Sequence, residues 1–122
     1  MGPSKRDEVV SFLRKFKRAA IGPPKGLEIW SALKNVEGLL QLGINSSQRN
    51  EYLLQITPEE YCEGPKEDDN PERDGKVWVF GMNIGNQEVY IKLKIVECAP
   101  FDKAECLSFH PAERPLTYPF RK

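Results

Sequence analysis

Val89-Tyr90-Ile91-Lys92-Leu93-Lys94-Ile95 and, after a short connection, Cys106-Leu107-Ser108-Phe109-His110 carry the reading that decides the fold. In the first run apolar residues alternate with Tyr90, Lys92 and Lys94, the period of a strand with one buried and one wet face. Leu107 and Phe109 alternate in the same way against Cys106, Ser108 and His110. Paired as an antiparallel hairpin centred near Pro100, the runs place Tyr90 opposite His110, Lys92 opposite Ser108 and Lys94 opposite Cys106. One sheet face then carries a phenol, an imidazole, two amines and a hydroxyl. A slip of two residues keeps that face and changes the partners, whereas a slip of one buries the charges.

Upstream, Val77 and Val79 alternate with Trp78 and Phe80, and Gly85-Asn86 supplies a tight turn, so 77–97 reads as a second hairpin sharing the central strand. Further upstream the period changes. Val9, Phe12, Leu13, Phe16, Ala19 and Ala20 recur every three or four residues, with Ser4 as a cap and Asp7 and Glu8 in the first turn, which predicts a helix. Its other face carries Lys5, Arg6, Arg14, Lys15, Lys17 and Arg18, either a solvated face or a surface for RNA or an acidic partner. Gly22-Pro23-Pro24-Lys25-Gly26 stops that helix, and Leu27 and Ile29 suggest a short strand. Asn35 is expected to cap a helix carrying Val36, Leu39, Leu40 and Leu42 and ending at Gly43. Ser46 or Ser47 caps the next helix, and Thr57-Pro58-Glu59-Glu60 starts a single turn through Cys62. Residues 63–75 read as a mobile polar loop, and 111–122, with three prolines, as an extended edge tail. The fold class is therefore α+β, with N-terminal helices on a small antiparallel sheet.

A chain of 122 residues supports one core and one domain. Lysine plus arginine equals aspartate plus glutamate at 18 each, so net charge makes no case for a nucleic-acid partner, and any such case depends on where the charges sit. No apolar run approaches a membrane span and no secretion signal is visible, so no membrane partner and a cytoplasmic location are expected. The cysteines, Cys62, Cys98 and Cys106, are odd in number, which argues against a disulfide framework. They contain no close Cys-x-x-Cys pair for zinc with His110, and the carboxylates Glu67, Asp68, Asp69 and Asp74 do not have calcium-loop spacing, so neither a metal nor a cofactor is expected.

His110 is the one histidine and the side chain best suited to proton transfer at neutral pH. With Tyr90 and Lys92 beside it, the set suits metal-independent RNA cleavage, in which a 2′-hydroxyl attacks the adjacent phosphorus. Such chemistry needs a base, an acid and cations for the phosphorane. His110 would be acid or base and Tyr90 its partner, with Lys92, Lys94 and Arg114 on phosphate. The plain alternative is a wet sheet face whose lysines discourage edge pairing. A cysteine nucleophile at Cys106 beside His110 lacks an oxyanion turn.

Gly26-Leu-Glu-Ile-Trp-Ser-Ala-Leu-Lys-Asn35, Leu42-Gly43-Ile44, the Thr57 to Tyr61 turn, Val77-Trp78, Glu88-Val-Tyr-Ile-Lys92 and Leu107-Ser-Phe109 follow one another in an order that resembles the MqsR family of toxin–antitoxin mRNA interferases. The resemblance implies a single RelE-like domain over 1–122, an endoribonuclease toxin acting on mRNA, and a cognate antitoxin as protein partner. It places the family's active-site tyrosine on Tyr90 and its C-terminal catalytic lysine on His110. The helix-region lysine falls near Glu63, with Lys66 the nearest substitute, and a strand glutamine falls on Val79. Tyr118, within eight residues of His110, joins Lys66, Lys94 and Arg114 as a candidate substrate contact. The alternative is a non-catalytic RNA- or protein-binding module, or an inactive relative.

Overall fold

The apolar positions that recur in the first helix are the ones it buries. In the computed structural model, which describes residues 5–68 and 75–121, α1 (Lys5–Ile21) turns Val9, Phe12, Leu13, Phe16 and Ala20 toward a sheet. Asp7 and Glu8 lie in its first turn and Arg18 in its last, each at the helix end whose partial charge it complements. The expected cap Ser4 and the carboxylates Asp69 and Asp74 lie outside the described residues. β1 (Leu27–Ile29), α2 (Leu33–Leu42), α3 (Ser46–Leu54) and a 3-10 turn (Pro58–Glu60) follow, then β2 (Tyr61–Glu67), β3 (Lys76–Ile84), β4 (Gln87–Val96) and β5 (Lys103–Pro111).

The strand order is β1-β5-β4-β3-β2. The last four strands in the chain pair antiparallel with their neighbours, but β1 runs parallel to β5, so the sheet is mixed rather than antiparallel. Residues 63–67, expected in a loop, belong to the edge strand β2, which pairs with β3 through two irregularities. Its Gly64-Pro65 pair and its charges blunt the free edge.

The β4–β5 register places Tyr90 opposite His110 and Lys92 opposite Ser108, as a hairpin centred near Pro100 predicts. It then breaks. Leu93 faces Cys106 and Lys94 faces Glu105, with Leu107 as the extra residue of a bulge. Cys106 therefore lies on the inner face, fully buried, and not beside His110. That inner face carries Trp78, Phe80, Met82, Val89, Ile91, Leu93, Ala104, Cys106 and Phe109 under α1, with Phe12 stacked on Trp78 at 4.6 Å. Burying each large side chain of this kind contributes about 1.5–3 kcal/mol.

Three helix details differ from expectation. Ala32, not Asn35, precedes α2, and Asn45, not a serine, caps α3 in a capping box with Gln48. The turn after Thr57 ends at Glu60, two residues short of Cys62, because β2 begins at Tyr61. In α2, Leu39 and Leu42 pack on the core whereas Leu33, Val36 and Leu40 stay exposed, because Asn35 and Gly38 take the inward positions. Gly43 ends α2 in the left-handed conformation, and Gly85-Asn86 turns β3 into β4 as expected.

The C-terminal tail is not an edge segment. It returns across the outer sheet face, where Leu116 and Tyr118 lie so close to Gly81 that a Cβ there would meet each at 2.5 Å. Glu88 holds it, accepting from the Leu116 N–H at 2.9 Å and the Tyr118 hydroxyl at 2.8 Å, and Phe120 stacks on Tyr61 at 5.1 Å.

Candidate functional site

The site begins with a strand edge that needs partners. β1 pairs with β5 only as far as Cys106, after which the Trp30 N–H reaches the Cys106 carbonyl at 3.0 Å. Beyond that point β5 would present unpaired groups. The buried Asn35 side chain replaces the missing strand: it donates to the Leu107 carbonyl at 3.0 Å and accepts from the Phe109 N–H at 2.9 Å. A third bond, to the Trp30 carbonyl at 2.9 Å, ties this amide to the end of β1. One turn later Gly38 lets α2 approach, because a Cβ there would lie 2.8 Å from His110 Cβ. His110 is thus set by β5, by Asn35 and by the bare backbone of Gly38.

The rings of Tyr90 and His110 stack on the outer face, centroids 5.6 Å apart and planes 26° from parallel. His110 Nδ1 lies 3.0 Å from the Pro111 carbonyl, which can only accept, so this hydrogen bond places the ring's proton on Nδ1. In the neutral form of the ring Nε2 then carries the lone pair, as a general base requires. Lys92 and Ser108 occupy the next row of the same face. At the other side of His110, Lys34 pairs with Glu113. That ammonium first, and then the charges of His110 and Arg114, hold the Glu113 carboxyl below the usual carboxylate range.

The remaining expected contacts do not converge here. Lys94 is buried, with its Cε only 3.1 Å from where a Cβ on Gly75 would be, so it is not open to a phosphate. Lys66 lies on β2, at the opposite edge of the sheet from β5, and pairs with Glu63 at 2.7 Å. Val79, where the resemblance places a glutamine, is buried. The Tyr118 hydroxyl donates a hydrogen bond to Glu88, and burial followed by that carboxylate raises its pKa above the usual phenol value. Arg114 is exposed in the tail. Burial pushes the Cys62 and Cys106 thiols up to about 12, so neither is a nucleophile at neutral pH. Among the described residues no cluster of His, Cys, Asp or Glu side chains could hold a metal ion, and no helix is long and apolar enough to cross a membrane.

Asn35, Gly38 and Glu88 are the positioning residues that sequence reasoning missed. A buried asparagine three residues before a glycine, on the polar stripe of an otherwise apolar helix, was the available signal, and it reads equally well as a cap. Against known protein families, curated proteins and solved structures the chain finds no match.

Proposed function

We propose that this chain is a metal-independent endoribonuclease of the RelE-like, MqsR-resembling kind: a toxin that cleaves mRNA and is held in check by an antitoxin protein. The stacked Tyr90–His110 pair is the observation that carries the reading. Nε2 of His110 accepts the proton of a 2′-hydroxyl as that oxygen forms its bond to the adjacent phosphorus. The phosphorus–O5′ bond breaks, and the leaving oxygen takes a proton from the Tyr90 hydroxyl, which water later restores. The products are a 2′,3′-cyclic phosphate and a 5′-hydroxyl. Lys92 offsets the charge that builds on the phosphorane, and acid–base help of this kind is worth about 10² to 10⁴ in rate.

A second reading has an observation of its own. Tyr90 and His110 line neither the cleft between α1 and the strand ends at Trp78 and Ile95 nor the one walled by Pro23, Pro24 and Pro100, as suits a non-catalytic binding face. The two separate on induction of the protein alone in a bacterial host, beside His110→Ala and Tyr90→Phe, with growth and RNA ends followed. Cleavage predicts new 5′-hydroxyl ends and growth arrest with the wild type, both lost in the variants. Intact RNA with the wild type removes the nuclease reading, and equal cutting by His110→Ala removes the site assignment.

A further inference from the structure

The far end of α1 carries charge that the molecule does not use itself. Most cations near a carboxylate are paired: Lys5 with Glu8, Arg6 with Glu59, Lys15 with Glu97, Lys103 with Glu28. Arg14, Arg18 and Lys25 have no carboxylate within 4.0 Å among the described residues, and all are exposed. Arg14 and Arg18 are one turn apart on the ridge of α1 that points away from the core. Lys25 follows the prolines that end the helix. Beside them is a cleft of about 300 Å³, lined by Pro23, Pro24, Pro100, the half-exposed Phe101 and Asp102 and, from α1, by Lys15 and Arg18.

We propose that this cleft binds single-stranded RNA, with a base against Phe101 and the prolines and the flanking phosphates on Arg14, Arg18 and Lys25. Cations alone would serve any polyanion. An aromatic face exposed within a proline-walled cleft beside them adds the stacking surface that single-stranded nucleic acid uses and an acidic protein does not. The cleft adjoins the start of β5, whereas His110 is near its end, about 23 Å along the strand and on the other sheet face. The proposal goes beyond the cleavage reading, since it needs binding alone.

The test is fluorescence anisotropy with a labelled single-stranded RNA of about 12 nucleotides, using the full chain as wild type and as His110→Ala to prevent cutting. Three phosphate contacts give a slope of log affinity against log salt of about −2, an 18-fold or so loss between 50 and 200 mM. Arg14→Gln with Arg18→Gln is expected to reduce that slope by about 1.4. Phe101→Ala is expected to weaken binding at least about fivefold at fixed salt and leave the slope in place. These positions are exposed, and thermal melting checks that the variants remain folded. Wild-type affinity in both variants, no binding at 50 mM salt, or equal displacement of the RNA by polyglutamate overturns the proposal. Binding with this signature but no cleavage by the wild type leaves it standing and removes only the nuclease reading.

Discussion

Asn35→Ala is the most informative single change. It removes three hydrogen bonds at once, to the Trp30 and Leu107 carbonyls and from the Phe109 N–H. Asn35 is only 4% exposed, so the Leu107 and Phe109 backbone groups would lose partners where water does not easily follow. An unsatisfied buried backbone group costs about 1–3 kcal/mol, which makes about 4 kcal/mol for the pair a central figure. For 122 residues the unfolding entropy is about 0.26 kcal/mol/K, so Tm should fall by about 15 °C. Asn35→Asp sharpens the result. It keeps the acceptor for Phe109 but points a carboxylate at two carbonyl oxygens, which raises the folded-state pKa above the unfolded value. The neutral acid can donate, so the stability it contributes is present below about pH 4 and is lost as pH rises through the folded value. Thermal melts of both variants from pH 4 to 7 read this directly. A fall in Tm below about 4 °C for Asn35→Ala, or no recovery of Asn35→Asp in acid, would show that the amide does not stand in for a strand.

Gly38→Ala should act through His110: its new Cβ would be 2.8 Å from His110 Cβ, an overpacking worth about 1–3 kcal/mol, and on the nuclease reading a misplacement near 1 Å costs about 100-fold in cleavage. RNA cleavage measured beside a comparably destabilised Leu53→Ala control distinguishes displacement of His110 from general loss of fold, with equal activity in the two refuting it. Tyr118 has its pKa raised by burial and by Glu88. The hydroxyl's contribution is therefore complete below about pH 10 and is lost only as pH rises from there through the higher folded value, so in the wild type the tail should stay protease-resistant through mild alkali. In Tyr118→Phe, which lacks a bond worth about 1 kcal/mol at this half-exposed site, it should already be protease-sensitive at neutral pH. Thiol titration at pH 8 should find Cys98 prompt and Cys62 and Cys106 slow until the protein is unfolded, because the latter thiols are held up at about 12.

The strand period was enough to put Tyr90 and His110 on one face, since a slip of one residue would bury the ionisable groups, whereas their pairing with each other followed from centring the hairpin near Pro100 and not from the alternation, which a slip of two would keep. The same period misplaced Cys106. A bulge inserts one residue without altering composition, and Leu107 is as apolar as its neighbours, so nothing in the run marks where alternation changes phase. Lys94 illustrates a different limit. Its place on the wet face was read correctly, but its burial depends on the chain near Gly75, which is distant in sequence. Val77 and Val79 are buried although they share the outer face, which a half-wet strand pattern does not predict. The return of the tail depends on Glu88 meeting Tyr118 across 30 residues, a pairing with no local signal.

These long-range features narrow the outer face into something more selective than a wet sheet. The tail roofs β3 at Gly81, and α2 closes β5 at His110 through Gly38. Gly81, Tyr90 and His110 are consecutive across one row of the sheet, so only the Tyr90 and His110 positions lie between the two walls. Neighbouring strands are about 4.8 Å apart, which makes this gap narrow enough for one extended strand and far too narrow for a duplex about 20 Å across. Zero net charge is compatible with such a site, because charge matters where it is placed rather than in total. The carboxylates nearest the row are occupied, Glu88 by the tail and Glu113 by Lys34, and so present less negative charge to an approaching phosphate than the totals suggest. On the proposed reading, Glu88→Gln would loosen the tail and widen the gap. Its effect should therefore appear as a loss of discrimination between single-stranded and paired RNA in a cleavage competition, with the chemistry at Tyr90 and His110 retained. A variant that cuts single strands as before and still spares duplexes would show that the tail is not a wall of the site.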